Sequence, residues 1–170
     1  LEGKSMRTLM VVISIFYAVA VLATTESVPY SAEKYPQAHC LALNIYFEAR
    51  GSSFADKVAV SDVVINRAND ERYPESICSV VYQAKTDSTG FPVRNQCQFS
   101  WFCDGRSDEP GEIDAWYEAQ VIAYQMLYNG RFKGITEGAT HYHSIKVDPY
   151  WADSFQYIGQ IGDHVFYRWN

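Results

Sequence analysis

The chain has 170 residues, enough for one domain with a core of useful size. Its 48% hydrophobic and 15% aromatic content, with thirteen Tyr and four Trp, excludes a disordered polymer. A formal net charge of −6 leaves no basic footprint for a nucleic acid partner.

The N-terminus reads as a targeting segment. Lys4 and Arg7 precede an apolar run of 15 residues from Leu9 to Ala23, and Glu26 is the next charge. A basic start, an apolar core and the small-residue end Val21-Leu22-Ala23 fit a secretory signal peptide. The uncharged span Thr8–Thr25 also sits at the lower limit for a membrane-spanning helix. Residues 1–25 are therefore a signal peptide or a signal anchor, with membrane association through residues 8–25 if the segment is retained. In both cases the rest of the chain is exported, to the periplasm or beyond. Export makes Cys40, Cys78, Cys97 and Cys103 informative, because an even count in an oxidising compartment reads as disulfides. The short separation of Cys97 and Cys103 favours a stapled loop, which leaves Cys40 to join Cys78. A zinc site built from all four is the alternative, but no CxxC spacing supports it.

Residues 26–37 read as a linker and 38–170 as the folded domain. Pro36 can open a helix, since its missing N–H is no loss at the first position, and the helix runs to about Arg50 with Gly51 as its stop. Ser53 and Asp56 form a capping box ahead of a helix over 55–68. Val58, Ala59, Val60, Val63, Val64 and Ile65 make that helix apolar around most of its circumference, which predicts burial. Tyr73-Pro74 breaks the chain, and Ser76 starts a short helix through Tyr82. Residues 84–110 read as a long ordered loop, rich in Gly and Pro and carrying aromatics and two cysteines. A helix follows over about 112–129, with Glu112 and Asp114 in its first turn, where the helix dipole favours them. The end of the chain changes character: a strand over 139–144, then strands over 157–162 and 164–169 turned at Gly162-Asp163. The fold class is α+β, mainly helical with a small β element towards the C-terminus.

Four groups of residues could carry chemistry. Glu48 lies in the last turn of the first helix and shares a face with Leu41, Asn44 and Ile45. A carboxyl buried there would hold its proton near neutral pH, as a general acid must; a helix end open to water is the plainer reading. Gln98, Ser100 and Trp101 sit inside the span from Cys97 to Cys103. Amide, hydroxyl and indole in a pinned loop suit sugar recognition, while a Trp plugging the core is the alternative. In a strand, His141 and His143 point to one face and Tyr142 to the other. With His164 the two histidines would suffice for a catalytic zinc, with Glu48 as base on its water. In the closing run, His164 and Phe166 share one strand face, and Val165 and Tyr167 the other.

Taken together, these pieces resemble the SleB/CwlJ-type cell-wall hydrolases, a family named for spore cortex-lytic enzymes and found also in other bacteria and phages. The resemblance rests on Leu41-Ala42-Leu43-Asn44-Ile45-Tyr46-Phe47-Glu48-Ala49-Arg50-Gly51, Val63-Val64-Ile65-Asn66-Arg67, Tyr73-Pro74 and Ile77-Cys78-Ser79-Val80-Val81-Tyr82-Gln83. It continues through Gln98-Phe99-Ser100-Trp101, Asp104-Gly105, Ala139-Thr140-His141-Tyr142-His143 and Gly162-Asp163-His164-Val165-Phe166-Tyr167. It implies a lysozyme-like, lytic-transglycosylase-like fold over 38–170, acting on peptidoglycan with Glu48 as the catalytic acid and no metal or cofactor. A monomer is expected. Asn44, Gln98, Ser100, Trp101, His141, Tyr142 and His143 are then expected to line the substrate groove. Gly51 is followed by Ser52, where the family often carries an acid, so no supporting carboxylate is expected there. The rival readings are a zinc amidase using His141, His143 and His164, and a wall-binding module without activity.

Overall fold

The computed structural model describes residues 31–170. The segment read as a signal peptide or anchor, and the start of the linker, lie outside the described residues. Among the described residues no helix is long and apolar enough to cross a membrane.

Helix α1 (Pro36–Ala49) opens on its proline and is the centre of the core. Leu41, Ala42 and Ile45 are fully buried. It packs on α2 (Phe54–Ala68), α3 (Ile77–Val81) and α4 (Ile113–Tyr128). Short buried side chains on α1 (Ala38, Ala42) and on α4 (Ala119, Ala123) let these two backbones approach closely. The Cys40–Cys78 disulfide ties α1 to α3. The Tyr46 hydroxyl accepts the Gly111 and Glu112 N–H groups at 3.0 Å each, and so anchors the entry to α4. Gly51 is not the left-handed stop expected. Arg50 caps α1 with helical dihedrals, its N–H meets Tyr46 O, and Ser52 N–H meets Ala49 O. Those two donors satisfy the Tyr46 and Ala49 carbonyls without a glycine reversal.

Helix α2 carries the Ser53/Asp56 capping box at its start, as expected. It buries polar side chains along with its valines. Asp62 accepts the Gly134 and Thr136 N–H groups and the Thr136 hydroxyl at 2.8, 3.0 and 2.7 Å. The Asn66 amide donates to Thr136 Oγ1 and Ala139 O. These bonds fix the segment leaving α4 and so set the direction of the next strand.

The stretch 84–110 holds a hairpin that its composition does not announce: β1 (Ala84–Thr86) against β2 (Pro92–Cys97). The strands are short and mostly exposed, so no apolar alternation marks them. The turn is made by Asp87, whose Oδ1 accepts Thr89 N–H, the Thr89 hydroxyl and Phe91 N–H. The Cys97–Cys103 disulfide then closes a loop around a single 3-10 turn, Ser100–Cys103.

The C-terminal sheet is antiparallel, β3 (His141–Ser144), β5 (His164–Arg168) and β4 (Gln156–Ile161) in that spatial order. Its β4–β5 turn falls at Gly162-Asp163, between the paired residues Ile161 and His164. Gly162 has φ +54°, and a Cβ there would run into the Asp56 carboxylate. That carboxylate accepts Ser53 N–H (3.3 Å), the Ser53 hydroxyl (2.7 Å), Asp163 N–H (3.0 Å) and His164 Nδ1–H (3.0 Å). One side chain thus caps α2 and clamps it to the sheet. The opposite sheet face is covered by the segment between β3 and β4. Its Phe155 stacks on His141 at 4.2 Å, and its Trp151 lies 5.6 Å from the His143 ring.

Candidate active site

Glu48 ends up where α1, α2, the disulfide loop and β3 meet. The last turn of α1 presents it beside Arg67 of α2 and Tyr142 of β3, in a hollow of about 210 Å³ closed by Gln98, Phe99 and Ser100. The Tyr142 hydroxyl donates to Glu48 Oε2 at 3.1 Å. Burial pushes the Glu48 carboxyl above its ordinary value, and the Tyr142 hydrogen bond, His164 and Arg67 pull it part of the way back. Desolvation also raises the Tyr142 phenol well above its usual value, so it stays a donor. Glu48 and Ser100 line a second hollow of about 400 Å³ with Phe47, Arg50, Asp104 and Arg106. A third, of about 300 Å³, runs along the β1–β2 hairpin past Gln83, Lys85 and Gln96, and meets the first at Cys97 and Gln98. The groove therefore continues to either side of Glu48.

The residues expected around Glu48 divide sharply. Gln98, Ser100 and Tyr142 are at the site. Asn44 is fully buried one turn below Glu48, where its Oδ1 accepts Trp101 Nε1–H at 3.2 Å. Trp101 stacks on Phe47 with 4.9 Å between centroids and keeps 6% of its surface exposed. Asn44 is a correction, since it is wholly buried, whereas the Trp101 ring, held by Asn44 and Phe47, still lines the second hollow beside Glu48 and Ser100. Trp101→Ala is accordingly expected to cost about 3–5 kcal/mol in urea unfolding, as for a large core truncation. A loss under about 1 kcal/mol would mean the ring is free for substrate.

His141 and His143 are the second correction. They point away from Glu48, into the aromatic cover of the outer sheet face. His143 Nε2 meets the Tyr167 hydroxyl at 3.0 Å. Burial, with Arg67 and Arg72 nearby, pushes His141 down to about 4. His164 faces the other way and is held by Asp56. The three histidines of the zinc reading are therefore split between two sides of one sheet. No group of three or more His, Cys, Asp or Glu side chains that could hold a metal is found among the described residues.

Arg67 and Phe99 belong to the site without having been expected there. Arg67 did leave a signal: on α2 it follows Val63 and Val64 at helical spacing, a charge on a buried stripe.

A half-buried carboxyl acid, held by a phenol in an open groove, is an arrangement that can give and take a proton, as an acid/base enzyme must. The Cell Wall Hydrolase family profile matches residues 51–167, and the chain belongs to that family. The matched stretch opens three residues after Glu48. Among curated proteins none matches. Among solved structures, the catalytic domain of the germination-specific lytic transglycosylase SleB from Bacillus anthracis aligns with TM-score 0.59 and 20% identity, over 82% of this chain and 98% of that one. The catalytic domain of the Bacillus cereus SleB protein aligns with TM-score 0.58 and 21% identity, over 82% and 92%. At such identities the likeness establishes the fold, a lysozyme-like α+β domain.

Proposed function

We propose that the protein cleaves the glycan strands of bacterial peptidoglycan between N-acetylmuramic acid and N-acetylglucosamine, as a lytic transglycosylase with Glu48 as both acid and base. One observation carries this reading. In the hollow that holds Arg67 and Tyr142, Glu48 is the one carboxylate among the described residues, whereas ordinary glycosidases need two; the second hollow adds Asp104, which leans on Arg106. Family membership and a fold shared with a lytic transglycosylase catalytic domain support it.

Protonated Glu48 gives its proton to the bridging oxygen as that oxygen parts from the anomeric carbon. Ionised Glu48 then takes the proton of the muramic 6-hydroxyl while the 6-oxygen bonds to the same carbon. No water is consumed, the product ends in a 1,6-anhydro ring, and Glu48 is protonated again. Tyr142 orients the acid, and Gln98 and Ser100 meet the sugar at the rim. A groove open to both sides suits a long polymer. The site of action is the cell wall, outside the cytoplasm, and export by the N-terminal segment would deliver the enzyme there. Mass spectrometry of digested sacculi is expected to find anhydro-muramic ends. Reducing ends would instead indicate a water-consuming muramidase, with Asp104 of the neighbouring hollow as the base to test. Freed peptides would indicate an amidase, and either result overturns the proposal.

A further inference from the structure

Arg67 is a charge in an expensive place. It keeps 3% of its surface exposed in the last turn of α2. Its guanidinium lies between the Tyr73 and Phe99 rings, 5.5 and 5.6 Å from their centroids. Nε donates to Thr140 O at 2.6 Å. Nη1 is buried without a hydrogen bond of good geometry, and the neighbouring Tyr73 phenol and the Glu48 carboxyl favour its charge only in part against burial. Among the described residues no carboxylate forms an ion pair with it. A buried cation without a partner costs several kcal/mol, so a purely structural role would be better served by an uncharged side chain of similar shape.

The groups facing Glu48 come from every wall of the site. His164 of β5 is committed to Asp56. Tyr142 of β3 donates to Glu48 itself. On the far side Arg50 pairs with Glu112 at 2.9 Å, and Arg106 leans on Asp104 at 3.9 Å. Of the cations lining the two hollows at Glu48, Arg67 is the one whose charge no carboxylate answers among the described residues. His141 of β3 lies near Arg67 and adds no negative charge, and Arg72 beyond it is paired with Asp70.

We propose that Arg67 is a positioning residue for the reaction: its buried guanidinium is the standing counter-charge that lets Glu48 return to its ionised form once it has given up its proton. The inference rests on Glu48 acting as both acid and base. A carboxyl that burial alone governed would donate its proton and then resist staying ionised, which would impair the second half of the cycle. A fixed positive charge in the same hollow stabilises the carboxylate without touching substrate.

The test compares Arg67→Met and Arg67→Lys with the parent, following the Glu48 side-chain carboxyl by ¹³C NMR without substrate and kcat/KM against pH. In Arg67→Met the Glu48 titration is expected to move to higher pH. The alkaline limb of kcat/KM moves with it, because the reactive form is protonated. At the parent's optimum kcat falls on the order of 10-fold while KM stays within about twofold. Arg67→Lys keeps the charge and is expected to restore most of the titration and rate. An unmoved Glu48 titration in a folded Arg67→Met overturns the proposal, as does failure of both variants to fold, which would make the residue structural. A Glu48→Gln variant that remains active overturns the acid/base reading itself, whereas an unmoved titration overturns only the role of Arg67.

Discussion

Glu48→Gln is expected to fold, to melt at a higher temperature than the parent above neutral pH, and to lose lysis of sacculi on the order of 10³-fold. Both effects follow from one environment. Burial raises the Glu48 carboxyl, so the folded chain carries a cost whenever that group is ionised. For an acid with a raised folded value, the cost is absent below the ordinary carboxyl range. It grows as pH rises through that range and is complete above the raised value. Gln has the same shape, can still accept from the Tyr142 hydroxyl and never ionises, so its thermal advantage should shrink as pH falls. Activity moves the opposite way because an amide can neither give nor take the proton. Turbidity decay of sacculi and melting curves at acid and alkaline pH read the two effects separately. A variant that lyses at the parent's rate would remove Glu48 from the mechanism.

Asp56→Ala is expected to destabilise the fold by about 3 kcal/mol or more in urea unfolding at neutral pH. Its side chain is almost wholly buried and serves two elements at once. Truncation removes the reciprocal half of the α2 capping box, a loss of about 1 kcal/mol. It also strands Asp163 N–H and His164 Nδ1 without their acceptor, and buried bonds to a charged group contribute about 1.5–3 kcal/mol. Burial works against the ionised form, but the Ser53, His164 and Asp163 bonds outweigh it and hold Asp56 below its ordinary value. A lowered carboxyl contributes fully above the unfolded value and loses that contribution as pH falls through the folded one. The gap between variant and parent should therefore close in acid. A loss near 1 kcal/mol that does not change with pH would mean that only the cap matters. His164 lies 5.4 Å from Tyr142, so the variant should also lose activity beyond its loss of folded protein, by letting the Tyr142–Glu48 pair drift.

Much of this was legible in the chain itself, for local reasons. The helices at 36–49, 54–68 and 113–128 announce themselves through Pro36, the Ser53/Asp56 box and long apolar periodicity. Glu48 stood out because it lies on an apolar face of a helix, and that face follows from 3.6 residues per turn alone. The β1–β2 hairpin was not legible, since exposed strands of three and six residues leave no pattern that composition can separate from a loop.

What the tertiary structure decided is which way things face. The period of a strand says that His141 and His143 share one side and Tyr142 takes the other. It does not say which side meets Glu48, because both faces of this sheet are covered, one by α2 and the other by Trp151 and Phe155. Docking by Asp56, Asp62 and Asn66 settles that choice and brings the phenol, not the imidazoles, to the acid. The same holds for Trp101, which the closed fold keeps on Asn44 and Phe47 at the wall of the hollow beside Ser100. Arg67 completes the contrast. Its position on a buried stripe can be read from the chain, but its place in one hollow with Glu48 exists only once α1, α2 and the disulfide loop have closed on one another.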